Sequence, residues 1–235
     1  MRLDKFLCDC GVGSRREIKQ KAKTGVISVN GKTVCDTSVH INENTDEVVF
    51  DGKKLVYAKY VYLMLNKPAG YVSATYDKKL PVVSDLVPNE YAHFEPFPVG
   101  RLDIDTHGLL IMTNDGDMCH RLLAPKSHVD KKYYVESDLP LTDADIQKLE
   151  VGIELDDGYI TMPCKVEKLE DCFSYITICE GKFHQVKRMY EAVGKKVVYL
   201  KRISMGALLL DESLPEGSMR PLTQDEIDLL NSSRK

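Results

Sequence analysis

At 235 residues and 43% hydrophobic content, the chain is long enough for one large or two unequal cores and too apolar to be disordered. Its longest apolar runs, VYLML at 61–65 and ALLL at 207–210, are far shorter than the roughly 20 residues of a membrane helix. Asp4, Lys5 and Asp9 interrupt any secretory signal, so a cytoplasmic protein is expected.

The net charge of −4 argues against a uniformly basic nucleic-acid binder, but it hides a segregated surface. Residues 1–33 carry eight basic side chains against three acidic ones, a local net of +5. Leu3, Phe6, Leu7 and Cys10 have helical spacing, which Gly11 and Gly13 interrupt. Ser14 and Glu17 then form a capping box for a second helix that runs to about Lys23 and stops at Gly25. Asn30-Gly31 joins two short β-rich runs as a tight hairpin, and VVFDGKKL at 48–55 repeats the device. These elements predict a small α/β unit over residues 1–57. Arg15, Arg16, Lys19 and Lys23 fall mostly along one side of its second helix, a pattern that by itself describes a solvated helix face.

From residue 58 to residue 235 the pattern predicts a second domain with a mixed, largely antiparallel sheet and flanking helices, an α+β class overall. YVYLMLN at 60–66 reads as a strand, KPAG at 67–70 as a turn, and YVSAT as its returning partner. Prolines at 81, 88, 96 and 98 mark a surface excursion with one short helical piece. GDMCHRLLAP reads as a helix halted by Pro125, KKYYVES at 131–137 as a strand, and 141–152 as a helix capped by Thr142. Strands are predicted at 159–168 and 173–179. A helix over FHQVKRMYEAVG carries Phe183, Val186, Tyr190 and Val193 on its apolar stripe. The last strands lie in KVVYLKRISMGALLL, and LTQDEIDLLNSS closes the chain as an amphipathic helix.

The chemistry concentrates in GRLDIDTHGLLIMTND at 100–115, where Asp103 and Asp105 precede an apolar run. A hard metal ion needs more oxygen ligands than one D-x-D supplies, and the seven cysteines show no C-x-x-C or finger spacing, so no metal is expected. Asp105, Thr106 and Gly108 are turn formers, and Asp105 is assigned to holding the turn. Asp103 borders a segment that must be core, where a carboxylate is costly unless a cation pairs with it.

Residues RLDKFL and SRREIKQKAKTGVISVNGKTV resemble the S4 domain, an RNA-binding module. GRLDIDTHGLLIMTN, MLNKPAGYVSA at 64–74, KKYYV and EGKFHQVKRM at 180–189 resemble the motifs of the RsuA-type pseudouridine synthases. The resemblance implies isomerisation of a ribosomal uridine, preferably in 16S small-subunit rRNA, without a cofactor. It implies Asp103 as the catalytic carboxylate, Tyr133 stacked on the target base and Lys187 paired with Asp103. Tyr134 competes for the role of Tyr133, because adjacent strand residues face opposite ways. Arg101 and Lys67 are expected to bind substrate in the catalytic domain, and Arg15, Arg16 and Lys19 to contact RNA phosphates. The expected partner of a monomeric chain is ribosomal RNA or a ribosomal subunit assembly intermediate. A 23S large-subunit substrate, a non-catalytic S4-containing assembly factor and a metal-dependent phosphotransferase are the rival readings.

Overall fold

Leu3, Phe6 and Leu7, one face of helix α1 (Leu3–Asp9), are sealed from solvent and head the core of the first of two units. The computed structural model describes residues 1–232. Helix α2 (Arg15–Ala22) closes over the same core with Ile18 and Ala22, and its capping box forms as the sequence predicts: the Glu17 amide donates to Ser14 Oγ, and the Ser14 amide donates to Glu17 Oε2 at 2.8 Å. Strands β1 (Ile27–Val29), β2 (Lys32–Thr33), β3 (Val48–Phe50) and β4 (Lys53–Leu55) make an antiparallel sheet in the order β2-β1-β3-β4. Both of its tight turns have left-handed central residues, Asn30 and Gly31 at φ 50° and 75°, Asp51 and Gly52 at 48° and 74°.

This first unit runs to Val61 and also includes residues 88–95, beyond the boundary expected at residue 57. Packing explains both additions. Tyr57 stacks on Phe6 at 5.7 Å, and the ring of His93, next to the short helix α3 (Asn89–Ala92), sits so close to Gly11 that a Cβ there would lie 2.7 Å from Nδ1. Arg15, Arg16, Lys19 and Lys23 are all exposed to solvent on or beside α2.

The second unit, residues 62–87 and 96–232, is built on one nine-stranded sheet. Its strands are β5 (Tyr62–Lys67), β6 (Phe97–Pro98), β7 (His107–Thr113), β8 (Lys131–Ser137), β9 (Lys165–Lys168), β10 (Phe173–Ile178), β11 (Val197–Met205), β12 (Leu208–Leu209) and β13 (Met219–Pro221). The order is β13-β5-β7-β11-β8-β10-β9, with β6 on β7 and β12 on β11; among the described residues only β7 and β11 pair in parallel. Helices α4 (Gly116–Leu123), α5 (Asp143–Val151), α6 (Gln185–Ala192) and α7 (Gln224–Ser232) flank it. Met64, Leu109 and Ile111 from the sheet pack with Met118 and Leu122 of α4 and Leu230 of α7 in one apolar cluster. No described helix is long and apolar enough to cross a membrane.

Three local expectations fail. YVSAT makes no strand: β5 takes its partners from β13 and β7, distant in sequence, so no edge is left for a hairpin, and Val72 forms only an isolated bridge to Val82. Within 159–168 only Lys165–Lys168 is a strand, because the amides of Leu155, Thr161 and Cys164 are used in local turns and in bonds to α5. Phe183 lies before α6, not on its stripe. Strand β13 is an addition, with too few apolar residues to be foreseen.

Gly108 marks the tightest packing in this sheet. It has φ +97°, and a Cβ there would stand 2.2 Å from the Arg202 carbonyl oxygen, across the parallel pair. Gly108→Ala is therefore expected to lower unfolding stability by more than about 1 kcal/mol, since both strain and collision oppose the side chain. Chemical denaturation against the parent chain checks this.

Candidate active site

The loop between β6 and β7 carries Asp103, and the segment after β5 fixes that loop from below. Lys67, the last residue of β5, is completely buried. Its Nζ donates to the carbonyl oxygens of Pro68 (3.0 Å), Asp103 (3.1 Å), Ile104 (3.3 Å) and Thr106 (2.9 Å). The Gly70 amide donates to the Ile104 carbonyl at 2.7 Å. Ser73 grips Leu102 at both ends, its hydroxyl donating to the carbonyl at 2.9 Å and accepting from the amide at 3.0 Å. Burial pulls the Lys67 ammonium down to about 8 while Asp105 and Asp103 oppose the shift, so it stays predominantly charged at neutral pH. The expectation that Lys67 contacts substrate is corrected here: its donors are fully engaged by the loop that bears Asp103.

That loop lines a cleft of about 390 Å³. Asp103, Arg101 and Tyr133 all face it. Tyr133 is 7% exposed and belongs to the inner face of β8 with Val135. Tyr134 points the other way, stacked on Phe173 at 5.8 Å and edge-on to Tyr175 and Tyr199. The strand's alternation thus leaves Tyr133 as the tyrosine in the cleft.

Helix α6 and the residue before it bring the basic nitrogens. Lys187 Nζ lies 3.4 Å from Asp103 Oδ2 and 2.5 Å from Asp105 Oδ1, and His184 Nε2 lies 3.8 Å from Asp103 Oδ1. The contact expected between Lys187 and Asp103 is thus present, shared with a second carboxylate. Asp105 does more than shape a turn. Burial works against its charge, but the Lys187 ammonium outweighs that and holds its carboxyl below the ordinary range.

His184 and Phe183 lie within EGKFHQVKRM, but no catalytic or binding role is expected of either from the sequence. His184 has φ +49° at the start of α6, and its ring stacks on Phe183 at 3.8 Å. This conformation is locked by the neighbours: Gln185 accepts from the Lys182 amide at 2.9 Å and donates to Glu180 at 2.6 Å, and Glu180 accepts from the Tyr159 hydroxyl at 2.7 Å. A second cavity of about 520 Å³ shares Arg101, Tyr133 and Lys182 with the cleft and reaches Lys131 and Arg202. Burial pulls the Lys131 ammonium down to about 8. No cluster of three or more His, Cys, Asp or Glu able to hold a metal ion occurs among the described residues. Arg15, Arg16 and Lys19 belong to the first unit.

Comparison with known proteins adds a chemical identity to this geometry. Residues 61–192 match the family model described as RNA pseudouridylate synthase. A Bacillus subtilis protein described as an uncharacterised RNA pseudouridine synthase, YtzG, is 48% identical over 98% of both chains. A Haemophilus influenzae protein named ribosomal small subunit pseudouridine synthase A is 40% identical, covering 98% of this chain and 99% of its own. A crystal structure described as a pseudouridylate synthase superposes with a TM-score of 0.70 at 38% identity, covering 98% of this chain and 99% of its own.

Lys67→Met keeps the length of the stem and removes the ammonium, leaving several loop carbonyls without a donor. The expected cost is about 3 kcal/mol or more of unfolding stability. Faster amide exchange is expected across residues 102–106; thermal unfolding and hydrogen exchange measure the two effects.

Proposed function

This chain belongs to the RNA pseudouridylate synthase family, and from that premise we propose that it isomerises a uridine of 16S small-subunit ribosomal RNA with Asp103 as the catalytic carboxylate. As an RNA pseudouridine synthase it breaks the N1–C1′ bond of a uridine, turns the uracil and rejoins it through C5. Nothing is oxidised, and no group is gained or lost. The observation that carries the assignment of Asp103 is its carboxylate in the cleft wall, with a basic nitrogen within 4 Å of each oxygen, Lys187 on one side and His184 on the other.

The reaction needs an ionised carboxylate at the ribose, whether it attacks C1′ or takes the C2′ proton. Lys187 supplies the opposite charge that makes such a group tolerable in a cleft wall. A uridine reaches the site only when swung out of its stack, and Tyr133 offers a ring face to the displaced uracil. Arg101, exposed beside Asp103, is placed to hold the nucleotide's phosphate. Arg15, Arg16 and Lys19 add contacts to the RNA backbone, giving affinity more than sequence reading. The small-subunit substrate is supported by relatives named for that subunit, which match nearly end to end. The RNA is met free or within a subunit assembly intermediate.

Pseudouridine mapping in ribosomal RNA from cells lacking the protein tests the substrate. One 16S position is expected to lose its modification, to regain it with the wild-type chain, and to stay unmodified with Asp103→Asn. That variant should retain nearly wild-type RNA binding while turnover falls at least about 1,000-fold. A site lost from 23S RNA instead would move the substrate to the large subunit, and turnover by Asp103→Asn would remove the carboxylate assignment.

For the first unit, replacing Arg15 and Arg16 together by Glu is expected to weaken RNA binding most at low salt, with the log–log salt slope flattened by about two. Titrations from low to high salt check this; a loss equal at all salt concentrations would exclude a phosphate contact.

A further inference from the structure

Phe183 lines the cleft and is 72% exposed. A lone exposed apolar side chain is ordinary on a protein surface. This one is not alone. Leu80 and Ile104, 47% and 40% exposed, line the same cleft. One face of the Phe183 ring rests on the His184 imidazole, with centroids 3.8 Å apart and planes 19° from parallel. The backbone beneath is in the left-handed region at His184, a conformation that costs free energy for a non-glycine residue, and the Glu180–Gln185–Lys182 bonds hold it there. The result is a rigid aromatic surface on the cleft wall, whose inner member, His184, approaches Asp103.

We infer that the Phe183–His184 stack is a platform for an unpaired base next to the target uridine, a subsite that rests on the isomerase reading above. Extruding a uridine breaks stacking on both sides of it, and the exposed flanking base gains most from a flat, sequence-tolerant aromatic face. Lys182, beside Phe183 with its ammonium over the Tyr159 ring at 4.4 Å, adds positive charge for the backbone of that flanking nucleotide. An apolar pocket filler would not need a ring, and a protein core contact would not leave the ring exposed.

The chain contains no tryptophan, so Phe183→Trp in an Asp103→Asn background introduces a single tryptophan at the platform, excited at the red edge where the 12 tyrosines do not absorb. Unmodified ribosomal RNA transcripts are expected to quench its emission on binding, while heparin, charged but without bases, leaves it unchanged. In the otherwise wild-type chain, tritium release from transcripts labelled at uridine C5 reports turnover. Phe183→Ala is expected to raise KM about 5- to 150-fold, the range of one base–aromatic stack. Phe183→Tyr should restore it and Phe183→Leu should not. RNA retained on a filter without quenching, or Leu performing as well as Phe, would overturn the platform. Absence of tritium release by the wild-type chain from both subunits' RNAs, offered free and in assembly intermediates, would instead overturn the isomerase reading, and the quenching arm would still decide whether a base stacks here.

Discussion

One buried ammonium organises the cleft of the second unit. Lys67 sits at the end of β5, one strand in from the sheet edge, and binds four carbonyl oxygens, three of them in the loop of Asp103. A loop is ordinarily a poor place for a group that must be positioned to a fraction of an ångström. Here the loop is pinned at Leu102 by Ser73, at Ile104 by Gly70, and at three points by Lys67, so it inherits the rigidity of the sheet. A cation is suited to this because it satisfies several carbonyls at once, where a neutral donor would leave some of them unpaired.

The sheet topology explains why this support comes from so far away in sequence. β5 lies between β13 and β7, and β7 in turn pairs in parallel with β11. The strand ends of β5 and β7 therefore meet at one edge, where Lys67 leaves the first and the Asp103 loop enters the second. β8, two places along from β7, presents Tyr133 to the same cleft. Helix α6 and its leading residue then bring Lys187 and His184 to Asp103. Residues 67, 103 and 133 converge because the strands that carry or flank them are near neighbours, whatever their separation along the chain.

Much of this was legible in the sequence, unevenly and for identifiable reasons. Local chemistry was readable: the Ser14–Glu17 capping box, the Thr142 cap, both left-handed hairpin turns and the full extent of β8 depend on residues close in sequence. The pairing of Asp103 with Lys187 was reached through family resemblance, since no local pattern relates positions so far apart. Lys67 was misplaced because KPAG reads as a turn between hairpin strands, and only the long-range pairing of β5 shows that its lysine points inward. Phe183 was misplaced for the opposite reason: its spacing fits the α6 stripe, but the left-handed residue at 184 starts the helix after it. A helical periodicity cannot register a break in backbone hand.

The two carboxylates raised by the D-x-D spacing divide one ammonium unequally. Lys187 makes its short contact, 2.5 Å, with Asp105 and a longer one, 3.4 Å, with Asp103. A carboxylate locked in a tight ion pair is kept charged but is also held away from any other partner. The longer contact still compensates the Asp103 charge while leaving its carboxylate open to the cleft, and Asp105 fixes the ammonium where it can do so. On this argument Asp105 acts through Lys187: it sets the distance at which the cation supports the proposed catalytic carboxylate, and the turn it occupies is what brings both carboxylates within reach of one helix.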